Sequence, residues 1–250
     1  MHKVLCILLV FSLLFVGCSK NKNLPINQNT YIENSNLPNS EYMFLIADTN
    51  KILISIPIPL AEGFGEVQIN FIKNYIENKI FNIFEENFNL KLSKTDVLDK
   101  NRDYSDCYIV MDSEISYISD DKISIVFDGL FNRKSTAHPI NWFFSINFNP
   151  ITLEIIPFSK NFPIDKNMYN IFAAEAEKGI LQQCNGEWPD GWGVFSEELC
   201  SESKFLDGMQ TEEEFHYYYT ENGIGISYPV PYSLGNHMEI LIPYSIINTK

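Results

Sequence analysis

Residues 215–228 read FHYYYTENGIGISY. Aromatic and β-branched residues on both sides of this stretch favour strands, and Asn222-Gly223 between them is a dipeptide that tight hairpin turns prefer. The stretch therefore predicts an antiparallel hairpin in which Phe215–Thr220 pairs with Ile224–Tyr228. This is the most strongly patterned pair of strands in the chain, and it favours a sheet that is mostly antiparallel.

Other strands are predicted from short apolar runs bounded by turn residues. A second hairpin is predicted where Asp48–Lys51 separates residues 42–47 from residues 52–58. The remaining predicted strands are residues 107–111, 114–118, 122–127, 142–148, 152–156 and 238–246. Residues 184–207 are predicted to form a loop.

Two long helices accompany these strands. Between residues 66 and 87, isoleucines recur at spacings of three and four, as in Ile69, Ile72, Ile76 and Ile80, which defines one apolar helix face. A second helix is predicted over residues 166–183, with Asp165 as its N-cap. The sequence thus predicts an α+β fold, a mostly antiparallel β-sheet with two or three helices packed on it.

The first 40 residues have the composition of an export signal and a tether. A short cationic start precedes an apolar run that is too short to span a bilayer, which is typical of a signal peptide over residues 1–17. The run ends in Leu14-Phe15-Val16-Gly17-Cys18, which resembles a bacterial lipobox. Cys18 is therefore predicted to be lipidated, with acyl chains such as palmitate as the membrane anchor. Residues 18–40 read as a flexible tether, and residues 41–250 as a single extracytoplasmic domain.

Charge limits the partners that the protein can bind. The 250 residues carry a formal net charge of −14, from 32 acidic and 18 basic side chains, so nucleic acid is not an expected partner. Such a chain attracts cationic partners instead. With 45% hydrophobic residues it can also bury a substantial core.

The cysteines fit an exported protein. Five are present, and Cys184 and Cys200 lie close together in the sequence. Because exported proteins meet an oxidising environment, these two are predicted to form a disulfide. The spacings that metal sites favour, Cys-x-x-Cys and His-x-x-x-His, do not occur, and no cofactor or metal is predicted.

Four stretches carry a resemblance to a known domain. They are Ile52–Pro59, the strand with Ser124 that leads through Ala137-His138-Pro139 to Asn147-Phe148-Asn149, Tyr218–Ile224 running on to Pro231-Tyr232, and Gly235–Tyr244. Together they resemble the extracytoplasmic domain of unknown function of the lysozyme-sensing anti-sigma factor, which also accompanies peptidoglycan deacetylases. The resemblance spans residues 41–248. Thr136 stands where the family usually has glycine, and Pro150-Ile151-Thr152 departs from its usual turn.

The resemblance implies an α+β domain displayed outside the membrane. In the anti-sigma factor the matching domain binds lysozyme, whereas in the deacetylases a separate domain does the chemistry. The metal-ligand motifs of that catalytic domain are not visible in this sequence. The resemblance therefore favours binding over catalysis.

Two features are candidate partner-binding sites. Trp188, Asp190 and Trp192 belong to a Pro/Gly-rich acidic stretch in which two indole rings could stack on a sugar or anchor a protein; the alternative is that both rings fold back onto the core. His138 has polar neighbours in the sequence, including Asp128, and could act in a Ser/His/Asp hydrolase arrangement, contact a ligand or simply anchor its loop. No catalytic residue is assigned, because the nucleophile-elbow motif Gly-x-Ser-x-Gly is absent.

The function predicted from the sequence is that of a lipid-anchored cell-envelope binding module. Its expected partner is a cell-wall component, such as a peptidoglycan fragment, or a cationic protein such as lysozyme. The alternative hypothesis is a hydrolase that acts on envelope glycans through acidic residues. A purely structural envelope protein is the third possibility.

Overall fold

The computed structural model describes residues 41–49, 52–59, 61, 64–88, 107–133, 138–183, 201–212, 215–230 and 236–247. The strands in these ranges are β1 (Glu41–Thr49), β2 (Ile52–Pro59), β3 (Cys107–Ile118), β4 (Ile123–Arg133), β5 (Ile140–Phe148), β6 (His216–Tyr219), β7 (Gly223–Pro229) and β8 (His237–Pro243). The helices are α1 (Glu66–Phe88), α2 (Phe158–Asn161), α3 (Lys166–Gln183), α4 (Glu202–Thr211) and α5 (Tyr244–Ile247).

The strands form two sheets. Sheet A has the order β1-β2-β3-β4-β5, and sheet B has the order β6-β7-β8. Both predicted hairpins are present, as β1–β2 in sheet A and β6–β7 in sheet B. The β2–β3 pair is parallel, and α1 lies between these strands in the chain, since parallel neighbours need a crossover connection. All other pairs are antiparallel, so the predicted α+β class is confirmed.

One face of sheet A packs against α1. Ile72, Ile76 and Ile80 lie one turn apart on the helix and are fully buried, as the isoleucine spacing predicted. They belong to a single apolar cluster with Phe127 and Phe144, whose rings stack at 4.6 Å. Full burial of each of these side chains contributes about 1.5–3 kcal/mol, so this face is a core and not a surface.

Sheet B has its own core, formed with α3 and α4. Phe172 of α3 stacks on Phe205 of α4 at 4.6 Å and meets Tyr228 of β7 edge-on at 5.2 Å. Helix α3 has the predicted bounds, and the Asp165 carboxylate caps it by accepting the Met168 N–H at 2.9 Å.

Helix α4 contradicts the prediction of a loop over residues 202–207, whereas residues 184–200 of that predicted loop lie outside the described residues. The Ser201 hydroxyl accepts the Lys204 N–H and caps the helix, and Phe205 and Met209, four residues apart, face the core. The Ser201 cap and the spacing of Phe205 and Met209 are helix signals in the sequence, and burial of these two side chains stabilises the helix. Five helices therefore occur in the described ranges, against the two or three predicted.

The strands predicted at 107–111 and 114–118 form the single strand β3. Asp112 and Ser113 do not interrupt it, because Asp112 faces outward and the Ser113 hydroxyl donates to the Pro57 carbonyl at 2.7 Å. The pairing with β4 shifts only between Ile115 and Tyr117.

Two predicted strands are shorter than expected. Residues 152–156 contribute only the isolated bridge from Ile155 to Phe148, because the Asn149 side chain accepts the N–H groups of Ile151 and Thr152 and holds a turn there. Strand β8 ends at Pro243, where the predicted strand 238–246 gives way to α5.

Candidate functional site

Sheet B meets sheet A along the edge of β6. The pairing of β6 with β7 directs the backbone groups of Tyr217 and Tyr219 away from β7, toward sheet A. There the Ser145 hydroxyl and the Asn147 amide donate to the Tyr217 carbonyl at 2.6 and 2.7 Å, and the Tyr219 N–H donates to the Ser124 hydroxyl at 3.1 Å. Three side chains of sheet A thus bond to two outward backbone groups of this edge strand.

We call Ser124, Ser145 and Asn147, with the β6 backbone that they contact, the buried seam. The Ser124 hydroxyl also donates to the Asn147 side-chain oxygen at 2.7 Å, so Ser124 both accepts and donates. Ser124, Ser145 and Asn147 are buried, and leaving one of these groups unpaired would cost about 1–3 kcal/mol. Their arrangement accounts for a structural role.

The same face of sheet A carries three exposed carboxylates. Asp112 of β3 lies directly opposite Asp128 of β4, and Glu114 follows Asp112 on the same face. Glu239 of β8 lies near them. The Tyr218 hydroxyl donates to the Glu239 carboxylate at 2.6 Å, and the charge of Glu114 acts on the same hydroxyl. We call Asp112, Glu114, Asp128 and Glu239 the acidic face.

Aromatic rings lie beside these carboxylates. Phe143 pairs with Asp128 across the β4–β5 ladder and is almost fully buried. Its ring centroid lies 5.3 Å from that of His237, 5.9 Å from that of Tyr218 and 6.3 Å from that of His216. Burial, together with the hydrogen bond to Glu239, raises the pKa of Tyr218, so its hydroxyl stays protonated as a donor.

His237 connects the rings to the carboxylates. Its Nε2 lies 3.7 Å from Asp128 Oδ1, too far for a hydrogen bond, although a protonated ring would form an ion pair there. Its Nδ1 and the adjacent Asn236 Oδ1 are buried without a hydrogen-bond partner. Buried polar atoms without partners are uncommon in folded proteins.

His216 does not share in this charge. Burial, with the positive charge of Lys79 nearby, lowers the pKa of His216 to about 3. The imidazole is therefore neutral at physiological pH, and the charge of the site comes from the carboxylates.

Glu212 is a half-buried carboxyl on the connection between α4 and β6. It adopts a left-handed backbone, and its side chain accepts the Phe158 N–H at the start of α2 at 2.8 Å. Burial raises its pKa, while this hydrogen bond and the charge of Lys79 oppose the rise. A glycosidase acid needs a second carboxylate at a defined distance, whereas the charge that acts on Glu212 is that of Lys79. The hydrolase hypothesis gains no support from this group.

The sequence-predicted site residues lie apart from the acidic face or outside the described residues. His138 is exposed just before β5. The β4–β5 register puts Asp128 opposite Phe143, which is five residues beyond His138, or about 16 Å along an extended chain. The two do not form a catalytic pair. Cys18, Cys184, Cys200, Trp188, Asp190 and Trp192 lie outside the described residues, so lipidation, the disulfide and the indole site stay predictions.

Sequence reasoning missed the acidic face. Asp112 had been assigned to a break between two strands, and Glu239 is distant from it in the sequence. A faint signal existed in β3, where the polar residues Asp112, Glu114 and Ser116 recur at every second position, which is typical of a strand with one solvent-facing side.

Neither a metal site nor a membrane span is seen in the described part of the chain. No group of three or more His, Cys, Asp or Glu side chains there is arranged to hold a metal ion. None of the described helices is long and apolar enough to cross a bilayer.

Comparison with known proteins relates the fold to a domain of unknown function. No family model and no curated protein matches the chain. A DUF3298 family protein from Pseudomonas aeruginosa has a similar structure, with a TM-score of 0.53 and 14% identity over 85% of this chain and 93% of that chain. A DUF3298 member from Bacteroides fragilis reaches a TM-score of only 0.41, at 13% identity over 85% of this chain and 90% of its own, which is too weak to bear on the fold. At these identities the likeness concerns the fold alone.

Proposed function

We propose that the protein is a lipid-anchored binding module of the bacterial cell envelope whose acidic face binds a cationic protein such as lysozyme. A basic cell-wall component is the other ligand of the same chemistry. Cys18 carries the lipid, and the tether over residues 18–40 holds the domain away from the bilayer. Trp188, Asp190, Trp192 and His138 are further contact candidates, and Cys184–Cys200 is a disulfide that would order the segment bearing the indoles.

One observation carries this proposal: Asp112 and Asp128 lie directly opposite each other on an exposed face. Like charges in this position destabilise a sheet by about 0.2–1 kcal/mol. Glu114 and Glu239 add two negative charges to the same surface. The carboxylates of the acidic face repel one another in the free protein. A partner that brings positive charge removes this repulsion, and the free energy gained contributes to the affinity.

The neighbouring rings support a protein or peptide partner over a small cation. Tyr218 combines an aromatic ring with a hydroxyl held by Glu239, and Phe143 and His237 pack beside it. Rings next to carboxylates suit lysine and arginine side chains, which bring both an apolar stem and a charge. The resemblance to the lysozyme-sensing domain points to the same class of partner, and the DUF3298-like fold is compatible with it.

The proposal is tested by calorimetric titration of the full chain, held in mild detergent, with lysozyme at low and at physiological salt. We expect saturable binding that persists at physiological salt. Heat that disappears when salt is added would mean nonspecific attraction and would contradict the proposal.

A charge-matched pair of variants sharpens this test. Asp112→Asn removes one of the two opposed charges, whereas Asp120→Asn removes an exposed charge from the turn between β3 and β4. Asp112→Asn should weaken binding by about fivefold while raising the free energy of unfolding by a few tenths of a kcal/mol. Asp120→Asn should leave both nearly unchanged. Equal effects of the two variants on binding would show that net charge, and not the acidic face, attracts the partner.

A further inference from the structure

Strand β8 is an edge strand, and its hydrogen-bonding pattern follows from the bonds at its two ends. The Val230 N–H donates to the Asn236 carbonyl at 2.9 Å, and the Tyr244 N–H donates to the Asn222 carbonyl at 3.1 Å. Since bonded and non-bonded pairs alternate in an antiparallel ladder, the even-numbered residues of β8 bond to β7. The odd-numbered residues His237, Glu239 and Leu241 therefore direct their N–H and C=O groups outward.

The fold covers two other sheet edges with specific contacts. At β5, the Tyr75 hydroxyl donates to the Ser145 carbonyl at 3.0 Å, and the Ile156 N–H donates to the Asn147 carbonyl at 2.8 Å. At β6, side chains of sheet A bond to the Tyr217 carbonyl and the Tyr219 N–H.

The outer edge of β8 is different. No described residue bonds to the outward backbone groups of His237, Glu239 or Leu241. Glu239 is exposed, and Leu241 is 47% exposed. An uncovered edge strand is a template for another extended chain.

Charge selects the chain that can add here. Pairing with a second copy about the middle of β8 would bring the two Glu239 carboxylates directly opposite or diagonally adjacent, which is unfavourable. Glu239 also belongs to the acidic face, with Asp112, Glu114 and Asp128. A strand with lysine or arginine at alternate positions would instead place its charges beside Glu239, and its backbone would satisfy the outward groups of β8.

We propose that the cationic partner docks by strand addition, with an extended basic segment pairing along the outer edge of β8. This deepens the proposed function, on which it rests, by naming the binding mode and the form of the ligand. Backbone hydrogen bonds would supply affinity, whereas alternate side chains facing Glu239 and Leu241 would supply selectivity.

The test uses a fluorescently labelled eight-residue peptide in which lysine alternates with valine, titrated with the full chain in mild detergent at physiological salt. In one further version the backbone nitrogen of every lysine is methylated, and in another the backbone nitrogen of every valine is methylated. In an added strand only one of these sets of N–H groups faces β8. That version should lose at least about tenfold in affinity, because each lost hydrogen bond removes roughly a factor of five. The other version should bind within about threefold of the parent.

Equal behaviour of the two methylated peptides, whether both bind or both fail, would overturn strand addition. A glutamate–valine peptide should not bind, and if it binds as tightly as the lysine peptide the charge argument is wrong.

A protein variant gives a second arm. Leu241→Pro removes one outward N–H and introduces a ring at the edge, where proline is tolerated in sheets. Leu241→Ala removes the same side chain and keeps the N–H. The proline variant should bind the peptide at least about tenfold more weakly than the alanine variant, and equal affinities would contradict the proposal. If lysozyme binds the full chain but the lysine peptide does not, strand addition fails while the proposed function stands. If neither binds, the proposed function itself fails.

Discussion

The buried imidazole of His216 gives the protein a measurable dependence of stability on pH. Its folded pKa is about 3, lowered by burial and by the charge of Lys79, against about 6.5 in an unfolded chain. Between these values the unfolded chain binds one more proton than the folded chain. Stability from this group is therefore complete above pH 6.5 and is lost as the pH falls toward 3.

The magnitude follows from the size of the pH step. Each pH unit below 6.5 removes about 1.4 kcal/mol, so at pH 4.5 the loss is about 2.7 kcal/mol. His216→Leu keeps the apolar packing against Phe143 and removes the titrating group. The difference in free energy of unfolding between pH 7.5 and pH 4.5 should therefore be smaller in the variant by about 2–3 kcal/mol.

The assay is urea unfolding at both pH values, followed by tryptophan fluorescence, to which Trp142 contributes from its place against the core of sheet A. Ser227→Ala is the matched control, because Ser227 is the buried β7 partner of His216 and its replacement leaves the imidazole in place. It should keep the wild-type pH dependence. If His216→Leu also keeps that dependence, the imidazole is not held neutral by its surroundings and the reasoning is wrong.

Three further substitutions test the packing and the seam by urea unfolding. In Gly129→Ala the new Cβ would lie 2.2 Å from the Val110 carbonyl oxygen, so we expect a loss of about 3 kcal/mol or more; a loss under 1 kcal/mol would mean that the strands can separate locally. Ser124→Ala leaves the Tyr219 N–H without its partner and should cost about 1–3 kcal/mol, and wild-type stability would show that the seam is not needed. Glu212 has a raised pKa from burial, so its stabilisation is present at low pH and is lost as the pH rises. In Glu212→Gln the amide oxygen can still accept the Phe158 N–H. The free energy of unfolding of this variant minus that of the wild type should therefore be larger at pH 8 than at pH 4, and an equal difference at both pH values would refute this.

The elements that could be predicted from the sequence are those that depend on neighbouring residues. The turn chemistry around Asn222-Gly223 and the alternation on either side define the β6–β7 hairpin locally. The isoleucine spacing of α1 and the cap at Asp165 do the same for the two long helices. The expectation of a domain of unknown function agrees with the structural comparison, which relates the fold to a DUF3298 family protein.

The division into two sheets could not be predicted because it depends on contacts between distant residues. Ser124 of β4 and Ser145 and Asn147 of β5 are polar residues that alternate with apolar ones along their strands. This pattern predicts a face exposed to solvent, yet all three are buried against β6. Helix α4 was missed for a related reason, since only its contacts with α3 and sheet B make Phe205 and Met209 core residues. The acidic face required the β3–β4 register, which brings Asp112 opposite Asp128.

Carboxyl footprinting tests directly whether the acidic face is the surface that binds the cationic partner. The full chain is labelled with a carbodiimide and an amine, with and without saturating lysozyme at physiological salt, and the modified residues are quantified by mass spectrometry. We expect strong protection of Asp112, Glu114, Asp128 and Glu239, with unchanged labelling of Asp120, which lies on the β3–β4 turn. Unchanged labelling of those four carboxylates, with protection confined to acidic residues such as Asp190 in the Trp188–Trp192 stretch, would contradict it.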